Sequence, residues 1–189
     1  MDKLNVVIVG VGGQGTLLAS RVLGHIALEL GLDVKVSEVH GMSQRGGSVI
    51  TYVSMAKKVY SPLVEQKGAD FVVAFEELEA LRAMPYLKDG GTMIVNTQRI
   101  LPLPVIVGAA SYPENIVEKM KTEANVVPVD ALPMAKRAGN ERALNTVMLG
   151  LLAARLPIDK ALWQNALQAS VPQRFMEANM AAFELGYAH

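Results

Sequence analysis

The chain opens with a change from continuous apolar residues to glycines and then to an apolar pattern with helical spacing. Residues 6–9 are Val, Val, Ile and Val, a run typical of a strand buried on both faces of a parallel sheet. Glycine occupies positions 10, 12, 13 and 15, and the positions that follow favour a helix over residues 14–30. This order predicts a β-strand, a glycine-rich turn and an α-helix.

The same alternation continues to about residue 139. Branched apolar runs predict further strands and amphipathic stretches predict further helices; the strands cover 33–41, 46–56, 70–75, 91–97 and 125–130, and the helices cover 76–87, 113–124 and 131–139. The loop of about eight residues at 40–47, which includes the ends of the second and third strands, is too short for a helical crossover, so this pair is predicted to be antiparallel. The remaining sequence has a helical pattern, with helix starts expected at Pro157 and Pro172.

Together these elements predict an α/β protein. The expected architecture is a three-layer α/β/α, Rossmann-like fold with a mixed, mostly parallel sheet and a helical C-terminal segment from about residue 140. The length of 189 residues and the hydrophobic content of 51% allow a full core. No linker long enough to separate two domains interrupts the chain, so residues 1–189 are expected to form a single domain.

The turn after the first strand is the first candidate binding site. We name it the first glycine loop; it comprises Gly10, Gly12, Gly13, Gln14 and Gly15. Gly10, Gly12 and Gly15 have the G-x-G-x-x-G spacing, which permits a tight turn and close backbone approach to a pyrophosphate. The following helix would direct unpaired N–H groups into the same space, which suits a phosphate. A plain strand-to-helix turn also favours glycine for steric reasons, so both interpretations stay open.

A dinucleotide site would need a further feature in the second strand. An acidic residue at the end of that strand, about 20 residues beyond the glycines, normally binds the ribose hydroxyls. Glu38 instead lies inside the predicted strand, and a loop rather than a short turn into a helix follows it. The sequence therefore disfavours a standard NAD site.

The loop after the second strand is the second candidate site. We name it the second glycine loop; it comprises His40, Gly41, Met42, Ser43, Gln44, Arg45, Gly46 and Gly47. Ligands of open α/β sheets bind at the carboxyl ends of the strands, where this loop should meet the first one. The guanidinium of Arg45 suits a phosphate or a partner's carboxylate; a flexible turn with a solvated arginine is the alternative. No serine, histidine and acid at recognisable spacing form a triad, so no catalytic residue is assigned.

Several polar residues follow the fourth and fifth predicted strands. Glu76 opens a predicted helix, whose dipole favours a carboxylate there, and Asn96 closes a strand, where its amide can satisfy backbone groups. Both are predicted to be structural. Glu77 and Glu79 are predicted to face solvent.

Composition narrows the possible chemistry further. The chain has 18 basic and 18 acidic residues without a long run of one sign, which argues against nucleic acid or a membrane surface as a partner. It has no cysteine, which excludes disulfides, a cysteine nucleophile and an iron–sulfur cluster bound by thiolates of this chain. The three histidines lack ligand spacing, so no metal site is expected. Without a leader or an apolar run of membrane length, the predicted location is cytoplasmic.

Five stretches together resemble the beta subunit of indolepyruvate ferredoxin oxidoreductases. They are VGVGGQGTLLASRVLG, SEVHGMSQRGGSV, VYSPL, AFEELEALR and NTVMLGLLAARLP. The first is similar, more broadly, to the gamma domain of 2-oxoacid:ferredoxin oxidoreductases, whereas the second points to the arylpyruvate branch. The resemblance covers nearly the whole chain.

The resemblance implies a subunit that is inactive alone and functions in a complex with a larger alpha subunit. That complex would convert an arylpyruvate, coenzyme A and oxidised ferredoxin to an aryl-acetyl coenzyme A, carbon dioxide and reduced ferredoxin. Thiamine diphosphate, magnesium and iron–sulfur clusters are implied on the alpha subunit. Coenzyme A is implied as the ligand of this chain, with its diphosphate at the first glycine loop and Arg45 as a second contact.

Two other functions remain consistent with the sequence. One is a self-sufficient oxidoreductase that binds NAD or FAD in a Rossmann pocket, which the missing ribose acid disfavours. The other is a purely structural assembly subunit, whose glycine loops pack against a partner and bind no ligand.

Overall fold

The computed structural model describes residues 3–41 and 46–189. Within them the strands are β1 (Lys3–Val11), β2 (Asp33–His40), β3 (Ser48–Ala56), β4 (Ala69–Ala74), β5 (Leu87–Asn96) and β6 (Asn125–Val129). They form a sheet in the order β2-β3-β1-β4-β5-β6. β1, β4, β5 and β6 pair in parallel, while β3 is antiparallel to both β1 and β2. The mixed, mostly parallel sheet predicted from the sequence is confirmed.

The position of β3 separates this sheet from a standard dinucleotide-binding one. The short connection after β2 returns the chain antiparallel, as predicted, and β3 then inserts between β2 and β1. Val49 consequently pairs with both Gly10 of β1 and His40 of β2. The carboxyl end of β2 therefore lies one strand further from the first glycine loop than it would in a sheet where β2 neighbours β1.

Helices cover both faces of the sheet. They are α1 (Thr16–Glu29), α2 (Glu77–Ala83), α3 (Leu103–Ile106), α4 (Ile116–Lys121), α5 (Ala131–Arg137), α6 (Leu144–Ala153), α7 (Lys160–Ser170) and α8 (Met176–Tyr187). The predicted helix over 76–87 is too long and the predicted strand over 91–97 starts too late, because α2 ends at Ala83 and β5 already begins at Leu87. The predicted helix over 113–124 is also too long, since α4 spans only Ile116–Lys121. The short helix α3 was not predicted.

Two helix starts in the C-terminal segment differ from the prediction. α7 begins at Lys160 rather than at Pro157, because the side chain of Asp159 caps it by accepting a hydrogen bond from the N–H of Ala161 (2.9 Å). After Pro172 the chain first makes a single 3₁₀ turn and only then enters α8. The segment is helical as expected, with its boundaries set by local capping.

Two apolar clusters confirm the three layers. Because neighbouring side chains of a strand point to opposite faces, β1 directs Ile8 to one cluster and Val9 to the other. The first cluster contains α1 and the C-terminal helices, including the stacked rings of Trp163 and Phe183. The second contains α2 and α4. None of the helices within the described residues has both the length and the apolar character needed to cross a bilayer.

Candidate functional site

The first glycine loop and the described residues of the second, 40–41 and 46–47, lie at the carboxyl edge of the sheet, where β1, β2, β4, β5 and β6 end. They contact each other directly, since the N–H of Gly12 donates to the carbonyl oxygen of Gly47 (2.9 Å). The hydroxyl of Ser48, at the start of β3, donates to the carboxylate of Glu79. Part of the second loop lies outside the described residues, namely Met42, Ser43, Gln44 and Arg45. The role of Arg45 therefore stays a prediction.

Gly10 and Gln14 maintain the shape of the first glycine loop. The side-chain oxygen of Gln14 accepts a hydrogen bond from the N–H of Val11 (2.7 Å), and its amide nitrogen donates to the carbonyl oxygen of Phe75 (2.9 Å). An added Cβ at Gly10 would lie 2.8 Å from the Gln14 side-chain oxygen and 3.2 Å from Cβ of Phe75. Both residues pack against the end of β4, so their main contribution to the loop is structural.

Gly13 and Gly15 both have left-handed backbone conformations, with φ of 104° and 88°. Gly15 is the N-cap of α1, so the helix begins at Thr16 and not at Gln14. A Cβ on Gly15 would collide with the side chain of Asn145, which donates from its amide nitrogen to the Gly15 carbonyl oxygen (3.4 Å). No atom lies within 4 Å of a Cβ built on Gly13. Gly13 therefore faces open space, whereas Gly15 packs against α6.

The start of α1 has the chemistry of an anion site. Within the part of the chain that the structure describes, the backbone N–H groups of Gly13, Gly15, Thr16 and Leu17 have no hydrogen-bond acceptor. The first N–H groups of any helix lack intrahelical partners, and the helix dipole adds partial positive charge at this end. These groups are therefore available to a phosphate.

The first glycine loop separates two clefts. The larger, about 510 Å³, is named the Arg142 cleft; its lining includes Gly13, Gly15, Gln98, Ile100, Arg142 and Asn145. The other, about 450 Å³, is named the Glu38 cleft; its lining includes Gly12, Thr16, Leu17, Glu38, His40 and Val49. Gly13 and Gly15 line both clefts, whereas the charged residues differ: Glu141 and Arg142 line one cleft, and Glu38 lines the other.

Glu38 makes its cleft unfavourable for a phosphate. One oxygen of its carboxylate accepts hydrogen bonds from the hydroxyls of Thr16 (3.2 Å) and Thr51 (3.1 Å). This arrangement puts a negative charge beside the N-terminus of α1, where it repels a second anion. On the other side of the loop the lining includes both Arg142 and Glu141, and the carboxylate of Glu141 is paired with Lys136 (3.4 Å). Arg142 could not be predicted as a site residue, because no motif marks it and only folding brings the 3₁₀ turn before α6 beside the first glycine loop.

Glu76 is buried and fully engaged in structural hydrogen bonds. One of its carboxylate oxygens accepts from the N–H of Glu79 (2.9 Å) and caps α2. The other accepts from the N–H of Ile100 (3.1 Å) and from the hydroxyl of Tyr112 (2.6 Å). Burial raises the pKa of Tyr112 above its usual value, and the hydrogen bond to Glu76 raises it further. The predicted structural role of Glu76 is confirmed.

The prediction that Glu77 and Glu79 face solvent is wrong. Their exposed fractions are 4% and 5%. Glu77 accepts from Nε of Arg99 (2.5 Å), a hydrogen bond that raises the pKa of Arg99, and Glu79 accepts from a guanidinium nitrogen of Arg82 (2.5 Å). Glu79 also accepts from Ser48. Residues distant in sequence thus bind these two carboxylates: Arg99, after β5, binds Glu77, and Ser48, at the start of β3, binds Glu79.

Asn96 joins three elements at the same edge. Its side-chain amide nitrogen donates to the carbonyl oxygen of Phe75 (3.0 Å), and its oxygen accepts from the N–H of Ala131 at the start of α5 (3.1 Å). The predicted structural role of this amide is confirmed. In residues 3–41 and 46–189, no group of three or more His, Asp or Glu side chains is arranged to hold a metal ion.

Comparisons with known proteins agree on one family. Residues 5–189 match the family described as "Pyruvate ferredoxin/flavodoxin oxidoreductase". The indolepyruvate oxidoreductase subunit IorB of Thermococcus kodakarensis is 42% identical, over 98% of this chain and 95% of that protein. The subunit of the same name from Archaeoglobus fulgidus is 38% identical, over 98% of this chain and 94% of that protein. The pyruvate oxidoreductase subunit PORC of Thermotoga maritima has the same fold, with a TM-score of 0.76 and 22% sequence identity. The match covers 100% of this chain and 97% of that one.

Proposed function

Because this chain belongs to the pyruvate ferredoxin/flavodoxin oxidoreductase family, we propose that it is the gamma-type subunit of an indolepyruvate, or more broadly arylpyruvate, ferredoxin oxidoreductase. The observation that supports this most is the identity of 42% and 38% to two IorB subunits over nearly the whole chain. The resemblance found in the sequence motifs is thereby confirmed. The arylpyruvate substrate, the ferredoxin acceptor and a cytoplasmic location are part of the proposal.

In this proposal the two subunits divide the chemistry. Thiamine diphosphate, with magnesium, would supply the decarboxylation chemistry, and iron–sulfur clusters would supply the electron transfer to ferredoxin. We assign these groups to the alpha subunit; for the clusters the reason is that a chain without cysteine offers no thiolate ligand. This chain, as one gamma-type domain, supplies a wall of the shared site and binds coenzyme A, the acceptor of the acyl group.

We place the diphosphate of coenzyme A at the start of α1, in the Arg142 cleft. Among the N–H groups that have no acceptor in the described part of the chain, those of Gly13 and Gly15 belong to residues that line this cleft, and Arg142 lines it as well. A guanidinium suits a phosphate because its planar donors match two oxygens at once. The residues present thus fit an anionic coenzyme, and Glu38 directs the phosphates to the Arg142 side of the first glycine loop.

The fold weighs against an independent NAD or FAD enzyme. β3 displaces the end of β2 from the first glycine loop, and the carboxylate of Glu38 is already bonded to Thr16 and Thr51. A ribose hydroxyl would have to compete with these contacts. A purely structural assembly subunit remains the second candidate, and ligand dependence distinguishes it from the proposal.

We expect the purified chain alone to be colourless and unable to reduce viologen dyes with arylpyruvate and coenzyme A. Co-expression with the alpha subunit should restore the activity, because the redox groups are expected there. Anaerobic assays of the isolated chain, the isolated alpha subunit and the complex test this directly. Viologen reduction by the isolated chain would contradict the proposed division of the chemistry.

We expect the Arg142→Ala variant of the complex to have an apparent KM for coenzyme A about tenfold higher, because a hydrogen bond to a charged group contributes about 1.5 kcal/mol or more. Arg137→Ala is the matched control, since Arg137 is exposed on α5 and lies outside the lining of the cleft. An unchanged KM in Arg142→Ala would show that the diphosphate does not bind in this cleft.

The Arg45→Ala variant tests the role of the second glycine loop. If Arg45 contacts a phosphate, the substitution should raise the apparent KM for coenzyme A. If Arg45 contacts the alpha subunit, the substitution should weaken subunit association at every coenzyme concentration.

A further inference from the structure

An exposed apolar segment lies beside the candidate site. Leu101, Leu103, Ile106 and Val107 follow β5, and between 49% and 70% of each side chain is exposed. They belong to the segment 101–107, which includes α3. Large aliphatic side chains are costly to leave in water, and a contiguous exposed group of them commonly marks an interaction surface.

Buried carboxylates fix this segment to the sheet. Glu76 binds it on both sides, accepting from the N–H of Ile100 and from the hydroxyl of Tyr112, and Glu77 binds Arg99. Within the segment, local hydrogen bonds such as that from Val107 N–H to the Leu103 carbonyl oxygen (3.0 Å) satisfy the backbone. The apolar side chains are therefore presented by a preorganised backbone, which reduces the entropy lost on binding.

The segment is continuous with the Arg142 cleft. Ile100, directly before it, lines that cleft together with Gln98. The oxygen of the Gln98 side chain accepts from the amide nitrogen of Gln14 in the first glycine loop (3.4 Å). A macromolecule bound to residues 101–107 would thus also cover the cleft that Gly13, Gly15 and Arg142 line.

We propose that the segment 101–107 is the surface on which the catalytic partner subunit of the complex docks, through an apolar surface of its own. The Arg142 cleft then becomes a closed site only at the subunit interface, so that a ligand bound there faces the partner. This inference rests on the proposed function for the existence of the partner. It is also supported by the names of the relatives, which are subunits of oxidoreductases.

The opposite edge of the sheet provides a matched control. Leu28 lies in the last turn of α1, and 66% of it is exposed, close to the 70% of Leu103. It lines neither the Arg142 cleft nor the Glu38 cleft. A Leu→Asp change at either position adds the same charge to a similarly exposed site. A difference in partner affinity between the two variants therefore shows which of the two surfaces contacts the partner.

The test is the affinity of the full-length chain for its co-expressed, purified partner subunit, measured by sedimentation velocity. We expect Leu103→Asp to raise the Kd roughly tenfold or more, and Leu28→Asp to leave it within about twofold. Thermal melting should show that both variants are folded. Equal affinities for Leu103→Asp and wild type, or an equal loss in Leu28→Asp, would overturn the proposal.

Two further outcomes separate this inference from its alternatives. If the isolated wild-type chain self-associates, and Leu103→Asp abolishes only that self-association, the surface binds a second copy and the proposal is wrong. If the wild-type complex forms and responds to Leu103→Asp as expected, but reduces no viologen with arylpyruvates, the docking surface stands and the proposed substrate is wrong.

Discussion

We expect the Gly150→Val substitution to lower the free energy of unfolding by about 3 kcal/mol, at the upper end of the usual cost of overpacking. Gly150 faces α8, and an added Cβ would lie 2.7 Å from the backbone nitrogen of Tyr187 and 3.0 Å from the carbonyl carbon of Gly186. Reciprocally, a Cβ on Gly186 would lie 2.9 Å from the carbonyl carbon of Val147 in α6. Backbone atoms cannot rotate away, so the two helices would have to separate.

Urea denaturation followed by circular dichroism measures this effect. Gly24→Ala is the matched control, because Gly24 also lies inside a helix, α1, but a Cβ built there meets no atom within 4 Å. The higher helix propensity of alanine should stabilise that variant by up to about 1 kcal/mol. Opposite signs for the two glycine substitutions are expected. A Gly150→Val variant as stable as wild type would show that α6 and α8 do not pack at this distance in solution.

We also expect Glu76→Leu to destabilise the protein by about 3 kcal/mol or more. Leucine removes the acceptors of three hydrogen bonds, from the N–H of Glu79, the N–H of Ile100 and the hydroxyl of Tyr112. A buried donor left without a partner costs roughly 1–3 kcal/mol. The loss also frees the segment after β5 from the sheet, so association with the partner subunit should weaken in the same variant.

A graded series identifies the hydrogen bonds responsible. Tyr112→Phe removes one of the three bonds and should cost about 1 kcal/mol. Glu76→Gln should be intermediate, since its amide nitrogen must face one of the donors. Glu118→Leu on α4 is the exposed control and should change stability by about 0.5 kcal/mol at most. If Glu76→Leu unfolds at the same urea concentration as Glu118→Leu, the buried carboxylate does not contribute to stability as proposed.

Local patterns were sufficient to predict the strands, the direction of β3 relative to β2 and the glycine loop after β1. The continuous apolar run of β1 matches a strand buried on both faces, because such a strand has no solvent-facing side to encode. The loop between β2 and β3 is too short for a crossover, and the pair is antiparallel as predicted. The first glycine loop was predicted because its left-handed residues, Gly13 and Gly15, need glycine whatever the distant contacts are.

Burial of individual polar residues could not be predicted in the same way. Glu77 and Glu79 occupy the first turn of α2, where local rules allow a carboxylate to face solvent. Their partners Arg99 and Ser48 lie in other parts of the chain. Arg142 likewise belongs to the candidate site only because the 3₁₀ turn before α6 lies beside the first glycine loop. Such contacts depend on three-dimensional proximity, which no local spacing records.

The sequence by itself determined the features that depend on neighbouring residues: which segments are strands, the direction of β3 relative to β2, and the turn that opens the N-terminus of α1. Only the tertiary structure decided where β3 lies in the sheet, and that position moves the end of β2 away from the first glycine loop. It also decided that Glu38 faces Thr16 and that Arg142 lies on the other side of the loop. The physical reason is that backbone conformation follows from local sterics, whereas the charge around a site is the sum of groups that folding brings together.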